Sequence, residues 1–157
     1  MLKYYCLIFL VSMVPLIELR GAVPIAMGMD LAYLPSIVIC CVGNMLPVPL
    51  IYFFARKVLI WGADKKYTGK FFRFCLEKGE KGGQKLVKKA GRQGLFLALL
   101  LFVGIPLPGT GAWTGTLAAS FLNMGIKSTA GAVSLGVILA AVIMSVGSSA
   151  ALSVIGL

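Results

Sequence analysis

The polar positions of this chain divide it into unequal apolar runs. Tyr4 to Val14 is apolar; Pro15 and Pro24 then flank the charged stretch Glu18-Leu19-Arg20-Gly21, and a second short piece, Val23 to Met29, follows. Leu31 to Ala55 and Ser128 to Leu157 are long runs without charge. The 14 residues between Lys3 and Glu18 cover roughly 21 Å as a helix, short of the ~30 Å hydrocarbon core of a bilayer. Each long run exceeds the about 20 residues that a crossing needs. The pattern predicts two full spans, with short helices that turn back at a proline-flanked, charged tip.

The second half repeats the plan. Gln93 to Gly104 is again too short to span and ends in Gly104-Ile105-Pro106-Leu107-Pro108-Gly109-Thr110-Gly111, after which come a short segment, Ala112 to Leu122, and the last long run. An offset near ninety residues lays Gly21-Ala22 on Gly111-Ala112. The expected architecture is one all-α integral membrane domain over residues 1–157: repeat one at 1–55, a basic amphipathic loop at 56–92, and repeat two at 93–157. In an inverted-topology repeat, two re-entrant hairpins meet near the bilayer midplane, as in many secondary transporters. Four ordinary spans with proline kinks are the competing arrangement.

Composition agrees with lipid as the solvent: 59% of residues are hydrophobic, 13% are charged, and mean hydropathy is +0.96. These values do not describe a soluble surface. The net charge of +10 raises the question of nucleic acid, but residues 56–92 hold twelve Lys/Arg against Asp64, Glu77 and Glu80, a local +9. A basic loop between apolar segments is what the positive-inside rule places on the cytoplasmic face of an inner or plasma membrane. The expected partners are therefore anionic lipids and not nucleic acid. Tyr67, Phe71, Phe74 and Cys75 recur at helical spacing among the lysines. Gly79 and Gly82-Gly83 are expected to interrupt the helix, with a second short helix over Gln84 to Gly91. Surface helices on the anionic leaflet are the reading here, and a plain solvated connector is the alternative.

Cys6, Cys40, Cys41 and Cys75 have no C-x-x-C spacing and read as packing residues; acylation of Cys75 at the surface is the alternative to an unmodified thiol, which is the preferred reading. The absence of histidine removes the usual zinc sites and the usual neutral-pH proton carrier. No cofactor motif and no nucleophile–base pair is visible, so an enzyme is not expected. Glu18-Leu19-Arg20-Gly21-Ala22 lacks small residues at both positions of a cleavage site, so the N-terminal segment is expected to stay in the mature protein.

A carboxylate at hairpin depth needs a partner, water or a proton. Glu18 is the candidate proton carrier and Arg20 the candidate contact for an anionic group, both at a tip eased by Gly21; a neutralised pair that only fixes the hairpin is the alternative. The opposing tip, Pro108, Gly109, Thr110, Gly111 and Trp113, offers backbone N–H groups, a hydroxyl and glycines that admit a close ligand; close helix packing competes with that reading. Asp30 is a boundary carboxylate and a second, weaker proton candidate. Asn44, in Gly43-Asn44-Met45-Leu46-Pro47-Val48-Pro49, is placed to hydrogen-bond across helices; kinked packing is the preferred reading of this segment, and a gate or cavity wall the alternative.

Pro15-Leu16-Ile17-Glu18-Leu19-Arg20-Gly21-Ala22-Val23-Pro24 and Pro106-Leu107-Pro108-Gly109-Thr110-Gly111-Ala112-Trp113-Thr114-Gly115 resemble the paired signatures of the small multi-drug export protein family. That family is similar in turn to the DedA and SNARE-associated membrane proteins, with their two opposed re-entrant hairpins. The resemblance implies a transporter with Glu18 and Arg20 at its core; a proton or another ion is the expected coupling partner, and a homodimer is expected because two long spans per chain shield two hairpins poorly. It points to an amphipathic substrate, either an anionic lipid such as a polyprenyl phosphate or a small drug. The second arginine that DedA-like proteins carry in their second hairpin is replaced here by Thr110 and its neighbours. The rival from another class is a non-transporting organiser that gathers anionic lipid or a partner protein.

Overall fold

A computed structural model describes residues 2–15, 17–65, 69–107 and 109–155. The described residues form seven helices and no strand: α1 Leu2–Met13, α2 Glu18–Gly28, α3 Tyr33–Met45, α4 Pro47–Ala63, α5 Gly69–Gly104, α6 Ala112–Phe121 and α7 Ile126–Ile155. Two stretches are long and apolar enough to cross a membrane, Tyr33–Ala63 and Ile126–Ala150. The first is divided at Leu46, which keeps helical dihedrals, with Pro47 opening α4. A proline costs little at that position, because the first N–H groups of a helix have no internal acceptor. The other apolar helices are short, with 12 residues in α1, 11 in α2 and 10 in α6.

Two expectations change. Helix α1 ends at Met13, and α2 begins at Glu18 instead of Val23. Pro15 is enough to stop α1, whereas Pro24 sits inside α2 and removes only the bond to the Arg20 carbonyl. The charged residues therefore form the first turn of a helix. In the basic linker, Gly79, Gly82 and Gly83 do not interrupt α5, which runs on from Gly69. A helical glycine costs roughly 1 kcal/mol against alanine but is not forbidden. The bend falls at Gly91, whose φ of 70° and ψ of 175° leave the helical region. Tyr67 and the side chains of Phe71 and Cys75 lie outside the described residues.

Helix α1 packs on α2 and α3, and α5 packs on α6 and α7; α2 then crosses to α7, and α6 to α4. Both core clusters are mixed as a result. Val48 joins Val103, Ala112, Val133 and Val137, while Ala140 and Ala141 join Ile8, Leu19, Ala22 and Cys40.

The two halves use the same local devices. A Cβ on Gly43 would lie 2.8 Å from the Phe9 carbonyl oxygen, and a Cβ on Gly136 would lie 2.8 Å from that of Leu100. Helix α2 closes with the Leu31 N–H donating to the Ala26 carbonyl (3.2 Å), and α6 closes with Met124 donating to Ala119 (3.0 Å). Asp30 and Asn123 carry the left-handed dihedral of these turns, with φ of 51° and 56°. Asx residues tolerate that region because a short polar side chain can bond locally. The paired positions after the breaks are 93 residues apart, and Phe9 and Leu100 before them are 91 apart. The offset near ninety thus resolves into two values, because the second half holds two more residues between these positions (Leu100 to Gly136 against Phe9 to Gly43).

The close approach at Gly136 makes a prediction. Gly136→Ala would also bring its methyl within 2.7 Å of Val103 Cβ, and overpacking of this kind costs about 1–3 kcal/mol. Gly147→Ala meets nothing within 4 Å and gains helix propensity. Thermal melts in detergent should show a lowered midpoint for the first and an unchanged or raised one for the second.

Candidate functional site

The chain between α5 and α6 frees backbone groups that a helix would have paired. A helix leaves its last four carbonyls and first four N–H groups unbonded, and where these are buried other polar groups must answer them. Within this break Ile105 N–H returns to Leu101, Leu107 to Ile105, and Thr110 to Leu107. The carbonyls of Val103, Ile105, Leu107 and Thr110 converge on one side chain, Arg20 of α2.

Arg20 Nη1 donates to the carbonyls of Leu107 and Thr110, and Nη2 has Val103 O at 3.3 Å, Ile105 O at 3.2 Å and Thr110 Oγ1 at 2.8 Å. The Thr110 hydroxyl lies 2.9 Å from both the Ile105 and the Leu107 carbonyls and donates within that pair. A guanidinium suits this end because its five donors fan out in a plane and its charge complements the negative end of the α5 dipole.

Two residues earlier, Glu18 serves the other side of the break. Its Oε2 accepts from the Ala112 N–H at 3.1 Å and its Oε1 from the Trp113 N–H at 3.0 Å. These are first-turn N–H groups of α6, whose N-cap residue, Gly111, has no side chain to offer them. The carboxylate is 4% exposed and sits at the positive end of the α6 dipole. Gly111 is required twice. Its φ is +150°, and a Cβ there would collide with the Glu18 carboxylate. Glu18 itself has a φ of +50°, an uncommon conformation for a residue with a Cβ.

The tip is reciprocal. Trp113 Nε1 donates to the Met13 carbonyl at 3.2 Å, the last residue of α1. Arg20 and Trp113 are 93 residues apart, and each caps the C-terminal end of the other hairpin's first helix. Glu18 and Arg20 do not pair with each other: the ion pair within 4.0 Å among the described residues is Lys81–Glu77. They grip opposite ends of one break instead of facing a shared cavity.

Of the residues singled out in the sequence, the structure brings together Glu18, Arg20, Thr110, Gly111 and Trp113. Gly109, with φ +81° and nothing within 4 Å of a built Cβ, shapes the turn. Gly21 is crowded only by Ile17 of its own hairpin. Pro108 lies outside the described residues. Asp30 is exposed at the far end of α2, roughly 18 Å from Glu18 along the helix axis. Asn44 is 2% exposed, and its Oδ1 has no hydrogen-bond partner among the described residues. Sequence reasoning missed Tyr52, whose hydroxyl donates to the Met124 carbonyl while its own carbonyl accepts from Ser120 Oγ at 3.1 Å. A tyrosine within an apolar span was the available signal, since a buried phenol seeks an acceptor.

Fold and tip together define a small all-helical protein with two stretches long and apolar enough to cross a membrane and its two halves locked tip to tip. The chain belongs to the small multi-drug export protein family, which it matches over residues 18–143. The match begins at Glu18 and contains both faces of the lock. No curated protein and no solved structure gives a significant match.

Charge-assisted hydrogen bonds contribute about 1.5–3 kcal/mol each. Glu18→Gln should therefore lower the melting midpoint, because an amide turns a donor toward one of the two α6 N–H groups. Gly111→Ala should lower it at least as far, by displacing the carboxylate. The double variant should fall well short of the sum, since both changes break the same contact; full additivity in a double-mutant cycle would separate them.

Proposed function

We propose that this protein is a membrane transporter in which the Glu18–Arg20 lock is the closed gate. Family membership supports export as the activity. The observation that carries the gate is the Glu18 carboxylate in its site: 4% exposed and held by two N–H groups of the opposing hairpin. A proton on Glu18 converts an acceptor-only group into one with an O–H donor. That donor faces the N–H groups of Ala112 and Trp113, so one of the two bonds is lost and the tips part.

The repeated devices 93 residues apart support two re-entrant hairpins of inverted topology. The strongly basic segment 56–92 supports a cytoplasmic linker and a multi-pass chain in the inner or plasma membrane. An arriving anion would meet the donors that Glu18 vacates, which favours an amphipathic anion over a cationic drug. A polyprenyl phosphate is the specific choice that the DedA resemblance suggests. A homodimer would cover the hairpins, because two long helices per chain shield them poorly from lipid. The exposed basic residues of α5 favour the second reading, an organiser that gathers anionic lipid without transport.

Flux in proteoliposomes separates the two. Under an imposed pH gradient the wild type should move a labelled polyprenyl phosphate or a cationic dye, and Glu18→Gln should abolish the gradient-dependent part while keeping its helical circular dichroism. Absence of flux of either probe in the wild type would leave the organiser.

A further inference from the structure

Away from the tips, a cavity of about 430 Å³ opens where α5 bends. It is lined by Arg92, Gln93, Phe96, Leu97 and Ser128. Arg92 follows the bend at Gly91 directly and is the last of the twelve basic residues in the linker. Ser128 lies in the first turn of α7, at the positive end of that helix dipole. The Phe96 ring packs over Gly131 of α7, 3.4 Å from where a Cβ would stand, so the cavity sits between the two helices.

We propose that this cavity binds the phosphate of an anionic phospholipid. Arg92 supplies the charge and a planar pair of donors, the geometry that suits phosphate oxygens, and the Ser128 hydroxyl and Gln93 amide complete a polar mouth. The other wall is apolar. Leu97 is 55% exposed and Leu101, one turn on, is 48% exposed. Residues four apart share a helix face, so these two leucines extend the cavity wall as a lane for an acyl chain. A free anion has no use for that lane. A polyanionic macromolecule would find the charge without a complement to the apolar wall. Lys85, Lys88 and Lys89 are exposed just before the bend and raise the local concentration of acidic headgroups, while the cavity provides one defined seat. The bound lipid would hold α5 at its bend, tying the basic segment to the membrane surface.

Native mass spectrometry of the full-length protein in detergent tests this with phosphatidylglycerol, phosphatidylcholine and inorganic phosphate as probes. The wild type should retain phosphatidylglycerol at least tenfold more tightly than phosphatidylcholine. Arg92→Gln with Ser128→Ala should remove most of that preference, Arg92→Lys should keep part of it, and Lys85→Gln, outside the cavity, should keep nearly all. Excess inorganic phosphate should not displace the lipid. Should the double variant fail to fold, Ser128→Ala alone carries the comparison, since it trims an exposed hydroxyl. Equal retention of the two lipids, indifference to the Arg92 and Ser128 changes, an equal loss in Lys85→Gln, or displacement by phosphate would each overturn the assignment.

Discussion

Backbone groups set free between α5 and α6 must be answered by other polar groups, and two side chains from the other half of the chain answer them. Arg20 gathers the carbonyls that end α5, and Glu18 holds the N–H groups that begin α6. Their charges match the two helix ends in sign. Buried and unanswered, each group would cost about 1–3 kcal/mol. The break is tolerable only while the first hairpin is docked, and the charges of that hairpin are tolerable only while the break receives them. Each half supplies what the other lacks, and the packing of α2 on α7 and of α6 on α4 adds further contacts between elements distant in sequence.

The symmetry of the halves is good in the scaffold and ends at the tip. Gly43 and Gly136 admit the same backbone approach, and the turns at Asp30 and Asn123 close in the same way. At the tip, position 18 is a carboxylate and position 111 a glycine, while position 20 is an arginine and position 113 a tryptophan. One half carries the charge and the other carries the exposed backbone. The second break, 105–111 against 14–17, is the longer one, and its carbonyls surround the guanidinium.

Much of this could be read from the sequence, for identifiable reasons. Span length and charge placement are additive properties, so the two long apolar stretches and the basic linker followed from counting. The pairing of Glu18 and Arg20 with the Gly109–Trp113 tip followed from the expense of charge in lipid. Hidden were the acceptors, because the carbonyls of Met13, Val103, Ile105 and Leu107 belong to the backbone and carry no residue signature. The helix start at Glu18 was hidden too. Two flanking prolines marked a break without saying which one made it, and Pro24 turned out to lie within α2. Gly79, Gly82 and Gly83 misled in the opposite direction, since glycine permits a bend without imposing one, and only Gly91 uses the permission.

Glu18 and Arg20 together sum to no charge. For a tip lying inside a membrane, displacing the ionised lock along the membrane normal therefore does no net electrical work. One proton on Glu18 changes that, because Arg20 then carries a single uncompensated positive charge. Moving it through the full field is worth roughly 2.3 kcal/mol per 100 mV. Under the proposed gating, the same event that loosens the lock would make its motion responsive to voltage, so a proton gradient and a membrane potential would act on this tip through one carboxylate.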